Sequence, residues 1–392
     1  MKISNRNFRN ITRVAPRLSH GFSLVELMVA LVVGLIVLAG VLQIFAGTKL
    51  TFNSNQSLAS IQENGRFALE LIKPVLREGD VQGFCGADLI VNSHLNTGCG
   101  DEIDLIYAPE SAFLAWEYDG TGRNEAFTIP DDLDPTGEAV TDWSSVDNDG
   151  TALDLPGVFS GRVVPGSDVF IARRVSIVEG VTGSGLASGT NPINLTHNHG
   201  LYANALVIVS NCGTGTDFFH ATGAPNQLIS AASTCGGVGP GNGTTAWSTG
   251  FGTTIQLFEV EVFGYYVGFD ADREETGLYR VDLSRGIANA FHEELVSGVE
   301  NMQVLAGYSL PADQGGDGQR VDFWLNGDEV PSWDFVIGAR VSLLMASTEN
   351  ADTDAATRTF DLGGVAVTSP DDARLRQPFT ATFSLRNQQL VF

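Results

Sequence analysis

The residue with the clearest chemical demand is a carboxylate in an apolar setting. Glu26 lies inside Phe22–Ala46, FSLVELMVALVVGLIVLAGVLQIFA, where Ser23 and Gln43 are the only other polar side chains. A carboxylate near the start of a membrane helix costs several kcal/mol unless it is paired, so Glu26 predicts a cationic partner. Residues 1–21 carry Lys2, Arg6, Arg9, Arg13 and Arg17 and no acid, and Gly21 sits where this basic stretch meets the apolar run. A cut after Gly21 would remove only the charged leader and expose the α-amino group of Phe22. That amine, on the same subunit or a neighbour, is the nearest candidate partner for Glu26. An ordinary secretory signal places its cleavage site after its apolar stretch, which is the reverse of this order.

The element that must carry Glu26 is a helix. Twenty-five residues at 1.5 Å each span about 37 Å, enough for a hydrocarbon core of about 30 Å. The basic stretch before it predicts a cytoplasmic N-terminus and an extracytoplasmic remainder. Mean hydropathy over the whole chain is only +0.07, which excludes a multi-span membrane protein. Beyond the apolar run, Leu58, Ile61, Gly65, Ala68, Ile72 and Val75 recur at helical spacing on one face. Helical order is expected from Phe22 to Lys73, with Pro74 kinking or ending it and Gly79 closing the segment. Gly34, Gly40 and Gly47 are positions where helices could bend or approach closely.

Four other groups of residues could do chemistry. Cys85, Cys99, Cys212 and Cys235 would lie in an oxidising compartment, and sequence proximity favours Cys85–Cys99 and Cys212–Cys235 among three connectivities. Their long spacings, with no Cys-x-x-Cys pair, argue against zinc. His197, His199 and His220 could reach a metal, but they read better as solvated loop residues. Asp147-Asn148-Asp149-Gly150 and Asp313–Gly318 resemble fragments of a calcium loop. Pro156 and Trp324 stand where the closing carboxylate would be needed, so both read as acidic turns. No nucleophile–base pair can be nominated, and the expectation is a non-enzymatic protein without cofactor or metal.

The chain has 392 residues, 46 acidic and 22 basic, for a net charge of −24. That balance excludes nucleic acid as a partner, since phosphate recognition needs a surplus of Lys and Arg. Lysine occurs only at positions 2, 49 and 73. Past residue 80, β-type runs alternate with Gly, Asp, Asn and Thr clusters. The strand candidates are Val163–Val175, Ala205–Val209, Ile255–Val267, Leu278–Leu283, Val299–Leu305, Val336–Met345 and Phe379–Leu385. Residues 178–204 and 221–254 read as loop-rich surface excursions. The expected fold is α+β: a long N-terminal hydrophobic helix packed on a C-terminal antiparallel β-sheet head with a loop-rich insertion at about 110–250.

Gly21-Phe22-Ser23-Leu24-Val25-Glu26-Leu27 resembles the prepilin processing motif of type IV pilins and type II secretion pseudopilins. Two further stretches, Ile61-Gln62-Glu63-Asn64-Gly65-Arg66-Phe67-Ala68-Leu69-Glu70-Leu71 and Gly83-Phe84-Cys85-Gly86, resemble PilW-type minor pilins. Tyr265-Tyr266-Val267, Leu278-Tyr279-Arg280, Glu294–Val304, Arg340–Leu344 and Leu385-Arg386-Asn387 extend the similarity toward the C-terminus. The resemblance implies cleavage between Gly21 and Phe22, N-methylation of Phe22, and a role for Glu26 in aligning each subunit during assembly. It divides the chain into a cleaved leader, 1–21, a pilin-type helical spine, 22–80, and an extracytoplasmic head, 81–392. It further implies a minor pilin that helps initiate assembly at the pilus tip, in twitching motility and adhesion. Implied partners are other minor and major pilins, the prepilin peptidase, the inner-membrane assembly platform, a tip adhesin, and membrane lipid before assembly. The implied location is the inner membrane with a periplasmic head, then the surface pilus. A type II secretion pseudopilin and an anchored adhesin or binding module are the alternatives.

Overall fold

The computed structural model describes residues 23–78, 91–108, 112–235, 240–352 and 355–385. The chain divides into two compact units, Met1–Asn53 and Ser54–Phe392. One helix, α1, runs Leu24–Arg77 and contributes to both.

In the first unit, α1 is long and apolar enough to cross a membrane, and no residue from Ser23 to Phe52 is buried. Its late hydroxyls are satisfied inside the helix. Thr48 Oγ1 donates to the Ile44 carbonyl at 2.8 Å and Thr51 Oγ1 to the Gly47 carbonyl at 3.0 Å, as hydroxyls do when water is scarce. A Cβ added at Gly34, Gly40 or Gly47 would meet nothing within 4 Å. These glycines therefore leave shallow, unfilled positions on an exposed helix surface.

In the second unit, the other half of α1 buries Ile61, Gly65, Ala68, Ile72, Val75 and Leu76, the face expected from the spacing except that Leu58 stays 37% exposed. Each large apolar side chain buried there stabilises the contact by about 1.5–3 kcal/mol. Gly65 marks the closest approach: a Cβ there would stand 2.6 Å from the Phe379 ring. Pro74 does not end the helix, which continues to Arg77, with the Glu78 amide bonded to the Pro74 carbonyl at 3.1 Å. Proline removes a single backbone donor, and burial of Val75 and Leu76 in the following turn offsets that loss.

Two sheets share the main core. Among the described residues the larger has ten strands, and it is built on Gln256–Asp270, which pairs antiparallel with Val169–Ile177, Leu206–Ser210 and Glu275–Asp282. Alternation along it is as expected, with Val260 and Val262 buried and Glu259 and Glu261 half-buried. The second sheet is antiparallel in the order Phe323–Leu325, Val299–Tyr308, Val336–Asn350, Arg374–Ser384. Every strand expected from the sequence is present, although Val163–Val175 starts only at Val169. Phe113–Tyr118 and Thr216–His220 were not expected: the first is apolar on both faces, and the second is too short to show a period.

Asp168 joins the two sheets. Its carboxylate accepts from the Tyr118 amide of the large sheet at 3.2 Å and from the Val304 amide of the small one at 2.7 Å. Burial holds the carboxyls of Asp168 and its neighbour Glu117 well above the usual carboxylate range.

The loop-rich stretches 178–204 and 221–254 are more than surface excursions. Val181, Ile193, Leu195, Leu228, Trp247 and Phe251 come together with Val207, Val209 and Phe219 in a second apolar core. These residues follow no period, so pattern alone could not find them.

Candidate functional site

The first turn of α1 carries Glu26, the one carboxylate of the apolar run. Ser23 accepts the Glu26 amide on its Oγ at 3.1 Å and the Leu27 amide on its carbonyl at 3.1 Å. Serine thus caps the helix, and Glu26 stands in its first turn. The positive end of the helix dipole favours a carboxylate there. The cap is visible in the sequence as Ser-x-x-Glu before an apolar run. Gly21 and Phe22, where cleavage and methylation are expected, lie outside the described residues.

The cysteines pair differently from expectation. Cys99 is bonded to Cys235, with Cα atoms 5.5 Å apart, which corrects both Cys85–Cys99 and Cys212–Cys235. Cys212 is also disulfide-bonded, and Cys85 lies outside the described residues. The physical reason is a parallel strand pair. Val91–Ser93 aligns with Thr216–Phe218, and beyond it the Asn96 amide bonds to the Gly241 carbonyl at 2.9 Å. This alignment carries Cys99 to a partner 136 residues away. Closing so long a loop stabilises by roughly 5 kcal/mol in the chain-entropy model, more than either short loop would.

The same parallel pair assembles a constellation that scattered histidines did not suggest. His94 Nδ1 lies 2.8 Å from Ser230 Oγ, and His94 Nε2 lies 3.4 Å from Asp217 Oδ1. Its order resembles a hydrolase triad, but its wiring is different. Ser230 donates its proton to the Thr244 carbonyl at 2.7 Å, so toward His94 it can only accept. The imidazole therefore holds the serine oxygen in place and does not take its proton. All three side chains are buried, and Trp247 and Phe219 pack against the ring. The His94–Ser230 bond, with the His94 amide on the Phe218 carbonyl at 2.8 Å, fastens the loop bearing Ser230 to the sheet.

The metal candidates are not brought together. His220 is buried and its Nδ1 donates to the Asn204 carbonyl at 3.0 Å, while His199 Nδ1 accepts the Leu201 amide at 3.1 Å. Burial lowers the pKa of both. His197 is exposed in the loop. Asp147 Oδ1 accepts the amides of Asp149 and Thr151 within a hairpin turn, and Asp317 Oδ1 accepts those of Gln319 and Arg320. Among the described residues, no three His, Cys, Asp or Glu side chains converge on a metal position.

Comparison with known proteins finds likeness at both ends of the chain. Residues 264–387 match the family model for Type IV Pilus-assembly protein W. Residues 16–42 match the Prokaryotic N-terminal methylation motif. No curated protein matches, and no solved structure matches. The first range covers the small antiparallel sheet and the strands leading into it; the second covers the leader junction and the apolar half of α1. A prepilin processing motif at one end and a PilW-type region at the other mark a type IV pilus-related pilin. The Ile61–Leu71 and Gly83–Gly86 stretches fall between the two matched ranges.

Proposed function

We propose that this chain is a structural minor pilin of a type IV pilus. It enters the inner membrane on α1 with its head in the periplasm and is cut by a prepilin peptidase between Gly21 and Phe22. Phe22 is then N-methylated, and the assembly platform passes the chain into the filament. There it joins other minor and major pilins near the tip and promotes the start of assembly, below a tip adhesin. The observation that carries this reading is the coincidence of the methylation motif with a capped helix, unburied from Ser23 to Phe52 and broken in its apolar run by Glu26. In the filament, Glu26 pairs with an N-terminal amine in a low-dielectric helix bundle, and the apolar surface is buried against other subunits. The PilW-type region favours a pilus over a secretion pseudopilus.

The test is the composition of filaments sheared from the cell surface. The chain should be present in them, and its deletion should reduce surface pili and twitching motility. Absence from sheared filaments, with twitching intact and secretion lost, would assign the chain to a pseudopilus instead.

A further inference from the structure

The outer edge of the strand Arg374–Ser384 is open. The Leu385 amide bonds to the Ile337 carbonyl at 3.0 Å, and the register from Gly338 opposite Ser384 to Ala346 opposite Arg376 runs without a shift. In an antiparallel pair, residues that exchange both backbone bonds alternate with residues that turn theirs away. Phe379, Ala381 and Phe383 therefore bond inward, whereas Pro378, Thr380, Thr382 and Ser384 point outward. Among the described residues no strand pairs on that side. Pro378 has no N–H to offer, so the usable donors run from Thr380 to Ser384. Such a row is a template for one more strand.

The wall beside this edge is α1. Arg66, Glu70, Lys73 and Arg77 face Ala381–Ser384 across a cleft of about 510 Å³. Lys73 pairs with Glu70 at 3.0 Å, and neither Arg66 nor Arg77 has a carboxylate partner among the described residues. Thr380 to Ser384 covers about 14 Å at 3.4 Å per residue and Arg66 to Arg77 about 17 Å at 1.5 Å per residue, so the row of cations is at least as long as the row of donors.

We propose that this cleft receives an extended acidic segment of a neighbouring filament subunit, added as a strand beside Thr380–Ser384 with its carboxylates against Arg66, Lys73 and Arg77. The inference rests on the pilin reading above. Its test is zero-length carbodiimide coupling on intact filaments, where Lys49 and Lys73 supply the only lysine amines once residues 1–21 are removed. Lys73 should be joined to an Asp or Glu within an acidic stretch of another subunit, as identified by peptide mass. Thr382→Pro deletes one outward donor and leaves the inward ladder intact, and should lower that product at least about fivefold. The paired variant Arg66→Glu, Arg77→Glu should do the same without touching the sheet. Coupling confined to Glu70 or to the chain's own C-terminal carboxylate, or a yield unchanged by both variants, overturns the inference while the chain's presence in the filament stands. Absence of the wild-type chain from filaments overturns the pilin reading and this inference with it.

Discussion

Glu26→Ala should be processed normally and yet nearly vanish from assembled filaments. In the membrane, the wild-type carboxylate is a burden of about 3 kcal/mol at an unpaired position. In the proposed filament it gains a cationic partner. Alanine removes the burden in the first state and the attraction in the second, so both changes favour the unassembled form. A shift of about 3 kcal/mol corresponds to about a hundredfold in the partition between filament and membrane. The readout is the ratio of the chain in sheared filaments to that in membranes, with leader removal followed by mass. The Ser23 cap and the apolar run are unchanged in this variant, so helix formation should not be impaired. Incorporation at the wild-type level would show that Glu26 is not an assembly residue.

Arg376→Met should be the most damaging single change in the head. Glu300 is the extra residue where the register shifts between Val299 and Asn301, and it is 1% exposed. Arg376, itself 2% exposed, grips it through Nε at 2.5 Å and Nη2 at 2.8 Å, and holds Asp372 as well. Arg374 reaches the same carboxylate only at 3.3 Å. Deleting one partner of a buried pair leaves an uncompensated charge and costs about 3–5 kcal/mol. For a head of this size that lowers the melting temperature by roughly 5–8 °C. Thermal unfolding of the full mature protein in detergent, followed by circular dichroism, measures it. The double variant Glu300→Leu, Arg376→Met should recover much of the loss, because no buried charge is then left unpaired. A single variant within about 1 kcal/mol of wild type would show that the pair is solvated in solution.

What could be read before the fold was seen depended on the range of the interaction. The apolar run, its basic leader and Glu26 are contiguous, so their meaning survives without any structure. The long strands announced themselves because a buried strand needs many β-branched and aromatic residues in a row, as in Val299–Tyr308 and Val336–Asn350. The disulfide and the His94–Asp217–Ser230 group were not legible, since both depend on one short parallel pairing between Val91–Ser93 and Thr216–Phe218. Three residues of strand carry almost no sequence signal, yet they set which cysteine meets which. Pro74 illustrates the opposite case, where a strong local signal was overruled by packing of the two residues that follow it.

The head's few cations also take on meaning from their positions. Arg174, Arg273, Arg280, Arg374 and Arg376 are spent on carboxylates within the fold. On α1 beside the open strand edge, Lys73 pairs with Glu70, whereas Arg66 and Arg77 have no carboxylate partner among the described residues.

Processing at the leader junction is the premise on which assembly, pairing of Glu26 and the filament partners all depend. Mass spectrometry of the mature N-terminus tests it directly. The terminal peptide should begin at N-methylated Phe22, with Lys2, Arg6, Arg9, Arg13 and Arg17 gone. A chain that retains Met1, or one cut after the apolar run, would contradict it.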